Sequence, residues 1–288
     1  MTDVSGKTRV CALLGDPVEH TVSPAMHNAA FAELGLDFIY VPFRVRPDCL
    51  AEAVAGLRAL GVHGFNVTIP HKVAVIPLLD GLDPRAEKIG AVNTVVNEAG
   101  ELRGFNTDGA GFLKAARQGG IEPEGKKIVV LGAGGASRAI SYILAENGAE
   151  LTILNRSEEL DWAEDIARLI EYDLWKHVQF LELRDDLLAE ALKDADVLVN
   201  ATSVGMSPDS DACPVAAEML RKGLTVFDIV YNPIKTRLLR EAGAAGGRTI
   251  SGAEMLVWQG ALAFEMWTGR PAPFDVMRRA ALKALGES

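Results

Sequence analysis

Short apolar runs alternate with stretches of helical period along almost the whole 288-residue chain. The runs RVCALLG (9–15), DFIYVPF (37–43) and GFNVTI (64–69) predict strands, since continuous apolar runs of this length suit strands covered on both faces. Between them, SPAMHNAAFAELG (23–35) and PDCLAEAVAGLRALG (47–61) carry apolar residues at helical spacing and end in glycine, a common helix stop. A second series begins at KKIVVLGAGGASRAISYILAENGAELTILNR (126–156), with strand, Gly-rich turn, helix and second strand in order. VQFLEL (178–183), ADVLVNAT (195–202) and LTVFDIVY (224–231) predict further strands, and DGAGFLKAARQGG (108–120) a helix joining the two series. EAGAAGG (241–247) reads as a flexible turn. SGAEMLVWQGALAFEMWTG (251–269) and PFDVMRRAALKALG (273–286) predict helices with no strand after them. This βαβα rhythm predicts an α/β fold with a mainly parallel sheet covered by helices.

Composition narrows the function classes. At 49% hydrophobic and 24% charged, the chain is ordinary globular material, long enough for two domains or one large one. Its 29 basic and 39 acidic residues give a net charge of -10, which argues against nucleic acid or an anionic membrane as main partner. Cys11, Cys49 and Cys213 are scattered without metal-ligand spacing, so reduced thiols in a cytoplasmic protein and no metal are expected. The first residues, MTDVSGKTRVCALLG, hold no run long enough for a signal peptide or membrane span, which again predicts a complete cytoplasmic chain.

Two local features suggest ligand chemistry. Ser23-Pro24 is a helix start, with Ser23 as the expected cap and Pro24 at the first helical position. Thr21 lies two residues earlier, and in an extended approach its hydroxyl and that of Ser23 would face the same side. Further on, VLGAGGAS places Gly132, Gly134 and Gly135 between a strand and a helix, where backbone can approach a pyrophosphate at the helix N-terminus. The third position of the G-x-G-x-x-G pattern is Ser137, so the turn alone would suit a simple β–α connection. The complete βαβ unit favours a dinucleotide site. At the end of its second strand stand Asn155, Arg156 and Ser157, with no acid to bond a ribose 2′-hydroxyl. Arg156 is either a solvated surface arginine or the partner of a 2′-phosphate, and the latter predicts NADP.

The first half is dense in uncharged hydrogen-bonding residues. NVTIPHK supplies Asn66, Thr68 and Lys72, GAVNT supplies Asn93, and GFNTDG supplies Asn106, Thr107 and Asp108. Singly, each has a structural explanation: turn residues, a helix cap, a solvated lysine. Together they suit hydride transfer to a carbonyl, with lysine meeting the developing alkoxide and a carboxylate positioning the substrate.

With these motifs in order, the sequence resembles the shikimate dehydrogenase (shikimate/quinate dehydrogenase) family over nearly its whole length. The carrying motifs are HTVSPAMHN, NVTIPHK, GAVNT, NTDG, GAGGAS, the Asn155-Arg156-Ser157 patch, NATSVGM (200–206), YNP (231–233) and Met255 to Gln259. The resemblance implies reversible NADPH-dependent reduction of 3-dehydroshikimate to shikimate in aromatic amino-acid biosynthesis. It implies Lys72 and Asp108 as the catalytic pair, and Thr21, Ser23, Asn66, Thr68, Lys72, Asn93, Asp108, Tyr231 and Gln259 as substrate contacts. The cofactor positions it implies are Gly132, Ala133, Gly134, Gly135, Ala136, Asn155, Arg156, Ser157, Thr202, Ile229 and Gly252. Implied too is an N-terminal substrate domain (1–108 plus 252–288) and a Rossmann-type NADP-binding domain (109–251). The terminal helices would pack back on the first domain and close a cleft between the two.

Three positions depart from the family pattern: Thr21 for the usual serine, Leu160 where many members have a second basic residue, and Glu254 for a common glycine. Leu160 is preceded by Glu158 and Glu159, two acids that would oppose a 2′-phosphate, so NAD is a possible weaker or alternative cofactor. The competing expectations are a quinate/shikimate dehydrogenase using both cofactors, a methylenetetrahydrofolate dehydrogenase of similar architecture, and a non-catalytic NADP-sensing scaffold. A monomer or homodimer acting on a small molecule is expected.

Overall fold

The computed structural model describes residues 4–287 and divides into two compact units. The first unit holds the chain up to Gly111 together with the residues from Val257 onward, and the second runs from Phe112 to Leu256.

The first unit contains β1 (Arg9–Gly15), α1 (Ser23–Glu33), β2 (Phe38–Arg44), α2 (Leu50–Ala59), β3 (Gly64–Val67), β4 (Gly81–Leu82), α3 (Pro84–Ile89), β5 (Thr94–Glu98) and β6 (Glu101–Phe105). Then α4 (Asp108–Gln118) begins. The sheet order is β2-β1-β3-β5-β6-β4. β1 pairs in parallel with both β2 and β3, as the βαβα pattern predicts, but β5 is antiparallel to both β3 and β6. The β5–β6 hairpin turns at Ala99 and Gly100, both at positive φ. An Ala-Gly turn lacks the Asn or Asp that usually marks such a hairpin, so the sequence pattern did not disclose it. One face of this sheet packs Leu14, Leu50, Val54, Leu57, Phe65 and Leu102 into a continuous core.

Three sequence expectations need correction here. Ser23 does not cap α1: Val22 holds the N-cap position, with φ -99 and ψ -1, and Ser23 is already helical. Because Val22 is in the right-handed helical region, Thr21 to Ser23 is not extended. The predicted 47–61 helix opens as a 3-10 turn at Pro47–Cys49 before α2 begins.

The second unit contains β7 (Lys127–Leu131), α5 (Gly135–Glu146), β8 (Glu150–Asn155), α6 (Leu160–Leu174), β9 (Val178–Glu182), α7 (Asp185–Lys193), β10 (Val197–Asn200), β11 (Thr225–Asp228), α8 (Arg237–Ala244) and β12 (Arg248–Ser251). Its order is β12-β11-β10-β7-β8-β9, parallel throughout. Renumbered within the unit this is the doubly wound order 3-2-1-4-5-6, whose strand direction of travel reverses between β7 and β10. The segment read as a flexible turn at 241–247 instead contains the end of α8, and β12 follows it. β11 stops at Asp228, three residues before the predicted strand end.

The last helices, α9 (Gly252–Thr268) and α10 (Phe274–Ala284), return to the first unit as expected. There Phe264 stacks on Phe31 of α1, and the Trp267 indole donates to the Val95 carbonyl of β5. Among the described residues no helix is long and apolar enough to cross a membrane. No group of three metal-ligating side chains occurs among them either.

Candidate active site

Strand ends and helix starts of the first unit converge on one hydrogen-bonded network. Lys72 lies after β3, beyond the Ile69-Pro70 bond, and its Nζ donates to Asp108 Oδ2 at 2.5 Å. The pair is largely shielded, with side chains 15% and 6% exposed. Asp108 opens α4, where a carboxylate is favoured by the partial positive charge of the helix N-terminus. Its second oxygen accepts from Asn93 Nδ2 at 2.8 Å, so both lone-pair faces are oriented. Asn93 also donates to Thr107 Oγ1 at 2.9 Å and to Gln259 Oε1 of α9 at 3.4 Å. The Asn93 oxygen accepts from the Thr107 N–H and from Thr94 Oγ1.

The network continues to Asn66, whose amide nitrogen donates to the Asn93 carbonyl and to Thr94 Oγ1, each at 3.0 Å. Asn66 Oδ1 accepts from the Tyr40 phenol at 2.8 Å. Tyr40 is fully buried, and burial, with Cys11 nearby, holds its pKa well above the ordinary phenol value. His27 stacks on the Tyr40 ring with centroids 4.4 Å apart, and burial pushes its pKa down to about 3, leaving it a neutral packing ring. Thr21 Oγ1 accepts from the Ser23 N–H at 3.3 Å, which leaves the Thr21 hydroxyl proton available. Thus Asn66, Asn93, Asp108, Lys72 and Gln259 join one connected set, while Thr21 and Ser23 bond to each other. Thr68 is half-buried immediately after β3, and its N–H donates to the Leu14 carbonyl.

The second unit builds its candidate site mostly from backbone. Gly132 follows β7 at φ +93, and a Cβ there would lie 2.9 Å from Thr202 Cγ2 and 3.2 Å from the Ala201 carbonyl. This close approach brings the turn after β7 against the turn after β10, at the reversal point of the sheet. Ala133 is buried, while Gly134, Gly135 and Ala136 are half-buried; Gly134 holds the α5 N-cap without a side-chain cap, and nothing lies within 4 Å of its would-be Cβ. Open space over uncapped helix N–H groups suits a pyrophosphate. Ser137, the imperfect third position of the motif, is fully buried and donates to the Gly132 carbonyl at 2.6 Å.

At the end of β8, Asn155 is buried and its Nδ2 donates to the Glu159 carbonyl at 2.6 Å. Arg156 and Ser157 are exposed. The Arg156 fork already holds a carboxylate, donating from Nε and Nη2 to the two Glu159 oxygens at 3.0 and 2.7 Å. Ile229 and Gly252 meet as backbone: a Cβ on Gly252 would fall 2.2 Å from the Ile229 carbonyl oxygen. Tyr231 is half-buried just after β11, and burial raises its pKa. Glu254 lies in the first turn of α9, where the helix dipole favours an acid, and Leu160 starts α6.

Sequence reasoning did not single out Tyr40, Thr94, Asn200 or Asp228 as site-organising residues. Tyr40 was hidden in an apolar strand, where an aromatic residue looks like core. Asp228 did leave a signal, as a lone acid inside the apolar run TVFDIVY.

Similarity to known proteins accords with both halves. Sequence models match over residues 13–95 (shikimate dehydrogenase substrate binding domain), 114–230 (shikimate / quinate 5-dehydrogenase) and 252–282 (shikimate 5'-dehydrogenase C-terminal domain). The shikimate dehydrogenase (NADP(+)) of Methanopyrus kandleri is 52% identical over 285 residues, covering 98% of each chain. The chain belongs to the shikimate dehydrogenase family. Among solved structures, a shikimate dehydrogenase in complex with NADP+ aligns with TM-score 0.92 at 42% identity, over 99% of this chain and 98% of the other. The Thermus thermophilus shikimate 5-dehydrogenase in complex with NADP(H) and shikimate aligns with TM-score 0.87 at 40% identity, over 96% and 100%. Within this shikimate dehydrogenase fold, Ser137 lies in the first turn of α5 and the Arg156–Glu159 pair in the turn after β8.

Proposed function

We propose that this protein is an NADP-dependent shikimate dehydrogenase, interconverting 3-dehydroshikimate and shikimate in aromatic amino-acid biosynthesis. The observation that carries its chemistry is the largely shielded Lys72–Asp108 pair, held by Asn93 and continuous through Asn66 to Tyr40. When bound, NADPH supplies the hydride for the C3 carbonyl. As that carbonyl is reduced, its oxygen gains negative charge and takes a proton. Lys72 has three N–H donors, of which Asp108 occupies one, so others are free to stabilise and protonate the oxygen. Asp108 holds the adjacent substrate hydroxyl, and its own orientation is fixed from Lys72 and Asn93 together. The Thr21 and Ser23 hydroxyls donate to the substrate carboxylate. Asn66, Thr68, Asn93, Tyr231 and Gln259 complete the substrate contacts.

For the cofactor, the turn from Gly132 to Ala136 cradles the pyrophosphate, and Asn155, Arg156 and Ser157 take the 2′-phosphate end. Thr202, Ile229 and Gly252 border the nicotinamide. The division into a substrate domain (1–108 plus 252–288) and an NADP domain (109–251) belongs to the same proposal, as do cytoplasmic residence and a monomer or homodimer. One observation favours a relaxed variant of this function: Glu159 occupies the Arg156 fork that a 2′-phosphate would use, which favours some NAD use. The deciding experiment is kcat/KM for shikimate and quinate, each with NADP and with NAD. Shikimate with NADP should be the best combination. A strong quinate preference would replace the biosynthetic assignment, and no shikimate-dependent reduction of either cofactor would leave a non-catalytic dinucleotide binder.

A further inference from the structure

Asp228 is fully buried at the end of β11 and takes no part in the chemistry above. Unlike Asp108, it has no cation against it among the described residues. Oδ1 accepts from Asn200 Nδ2 at 2.9 Å and from the Val230 N–H at 3.1 Å, and Oδ2 accepts from Thr236 Oγ1 at 2.6 Å. A buried carboxylate without a counter-ion is costly, and a fold needing only packing here would be served by a neutral side chain.

What the three donors hold explains why the carboxylate is kept. Asn200 ends β10, and its Oδ1 accepts from both the N–H and the hydroxyl of Thr202, at 3.1 and 2.7 Å. Its Nδ2 also reaches the Val204 carbonyl at 3.3 Å, so Asn200 shapes the whole turn that lies against Gly132. The Val230 bond fixes the backbone between Ile229 and Tyr231. Thr236 caps α8 through the Leu239 N–H and closes the loop that began at Asp228. In the sheet register Asn200, Asp228 and Ser251 are direct neighbours, and Ser251 Oγ donates to the Ile234 carbonyl of the same loop. The carboxylate therefore ties the end of β10 to the loop after β11, Ser251 ties β12 to the same loop, and the residues that follow these strand ends include Thr202, Ile229, Tyr231 and Gly252.

We propose that Asp228 is a positioning residue that, when ionised, holds the loops after β10 and β11 in the arrangement that binds the dinucleotide. This rests on the reading of Thr202, Ile229 and Gly252 as cofactor contacts. Protonation converts one of its acceptor sites into a donor facing Thr236 or Asn200, and the knot loosens.

The surrounding charges leave this titration to Asp228. On α8, Arg237 pairs with Glu241 and Arg240 donates to the Lys235 carbonyl, while Lys235 itself is exposed. Arg248 of β12 donates to the Gly119 carbonyl, and Lys114 and Arg117 of α4, whose Phe112 stacks on Phe227, are exposed. Asp209 and Asp211 in the loop after β10 are exposed, Glu254 of α9 is half-buried, and burial raises the Tyr231 phenol. None of these acts on Asp228, whose pKa is pushed up to about 6 by burial against the opposing bonds from Thr236, Val230 and Asn200.

The test is the NADP dissociation constant of wild type and Asp228→Asn, measured by titration calorimetry from pH 5 to pH 8. At pH 8 the variant should bind about tenfold more weakly, the size of one lost hydrogen bond to a charged group. At pH 5 the ratio should fall towards one, because the wild-type carboxyl is then protonated too. Comparing the ratio cancels the 2′-phosphate, which titrates in the same range in both proteins. A ratio of one throughout, or a constant one, overturns the proposal. Should Asp228→Asn not fold, Thr236→Val keeps the charge and removes one donor; it must also weaken NADP at pH 8, and an unchanged constant there overturns the proposal equally. Wild type that binds NADP but does not oxidise shikimate would defeat the assigned activity and not this inference.

Discussion

Lys72 and Arg156 are both cations bonded to a carboxylate, in opposite circumstances. Lys72 and Asp108 are 15% and 6% exposed, and Asn93 fixes the carboxylate from its other side. Arg156 and Glu159 are 67% and 27% exposed, three residues apart on one short turn. A shielded pair inside a network keeps one geometry, and removing one partner strands a buried charge. An exposed pair is screened and exchanges readily with water or a ligand. The first unit therefore builds its candidate site from interlocked side chains, which suits fixed chemistry. The second relies on backbone turns with an exchangeable cation, which suits a cofactor that comes and goes.

The largest test of that contrast is Lys72→Ala, which should lower kcat by about 10²–10⁴, the usual range for a lost general acid. Shikimate KM should change much less; equal losses in both parameters would make Lys72 mainly a binding residue. Thr21→Val removes the hydroxyl that accepts from the Ser23 N–H and should raise shikimate KM about ten- to a hundredfold, leaving cofactor KM nearly unchanged. An unchanged shikimate KM would return Thr21 to being a loop residue. Tyr40→Phe tests whether the side chains act as one set: it leaves Asn66 Oδ1 buried without its donor. We expect a stability loss of about 1–3 kcal/mol in urea unfolding together with a raised shikimate KM, since an unmet buried acceptor costs that much. Loss of stability with an unchanged KM would confine Tyr40 to the core. The smallest effect belongs to the exposed pair. Glu159→Gln frees the Arg156 fork and should lower NADP KM only severalfold, as surface pairs are worth about 0.2–1 kcal/mol. NAD KM should stay put, and an unchanged NADP KM would show that Glu159 does not compete for Arg156.

The contrast also explains what could be read from sequence. Local signals were plain in the second unit: an apolar run, glycines and a helix starting at Gly135 report backbone geometry, and β7, α5 and β8 lie where the pattern placed them. The β5–β6 hairpin was missed, because Ala99 adopts positive φ without the residue type that advertises it. In the first unit, motifs named Asn66, Asn93, Asp108 and Lys72, yet no spacing rule joins residues so far apart. They meet directly in the fold, Asn66 on Asn93 and both Asn93 and Lys72 on Asp108, while Tyr40, which braces Asn66, sits in an apolar strand and carries no such signal. Ser23 was misplaced for a related reason: a Ser-Pro pair usually means a cap, but here the preceding Val22 is already helical and holds the cap position.

Ser137 carries a lesson for anyone re-engineering the cofactor turn. Restoring glycine at that position would complete the familiar pattern and look like a repair. Yet the Gly132 peptide is clamped at both ends, its N–H donating to the Leu154 carbonyl at 2.8 Å and its carbonyl accepting from Ser137 at 2.6 Å. A consensus-guided library should therefore hold residue 137 constant and place its diversity at Arg156, Ser157 and Glu159, where side chains face water.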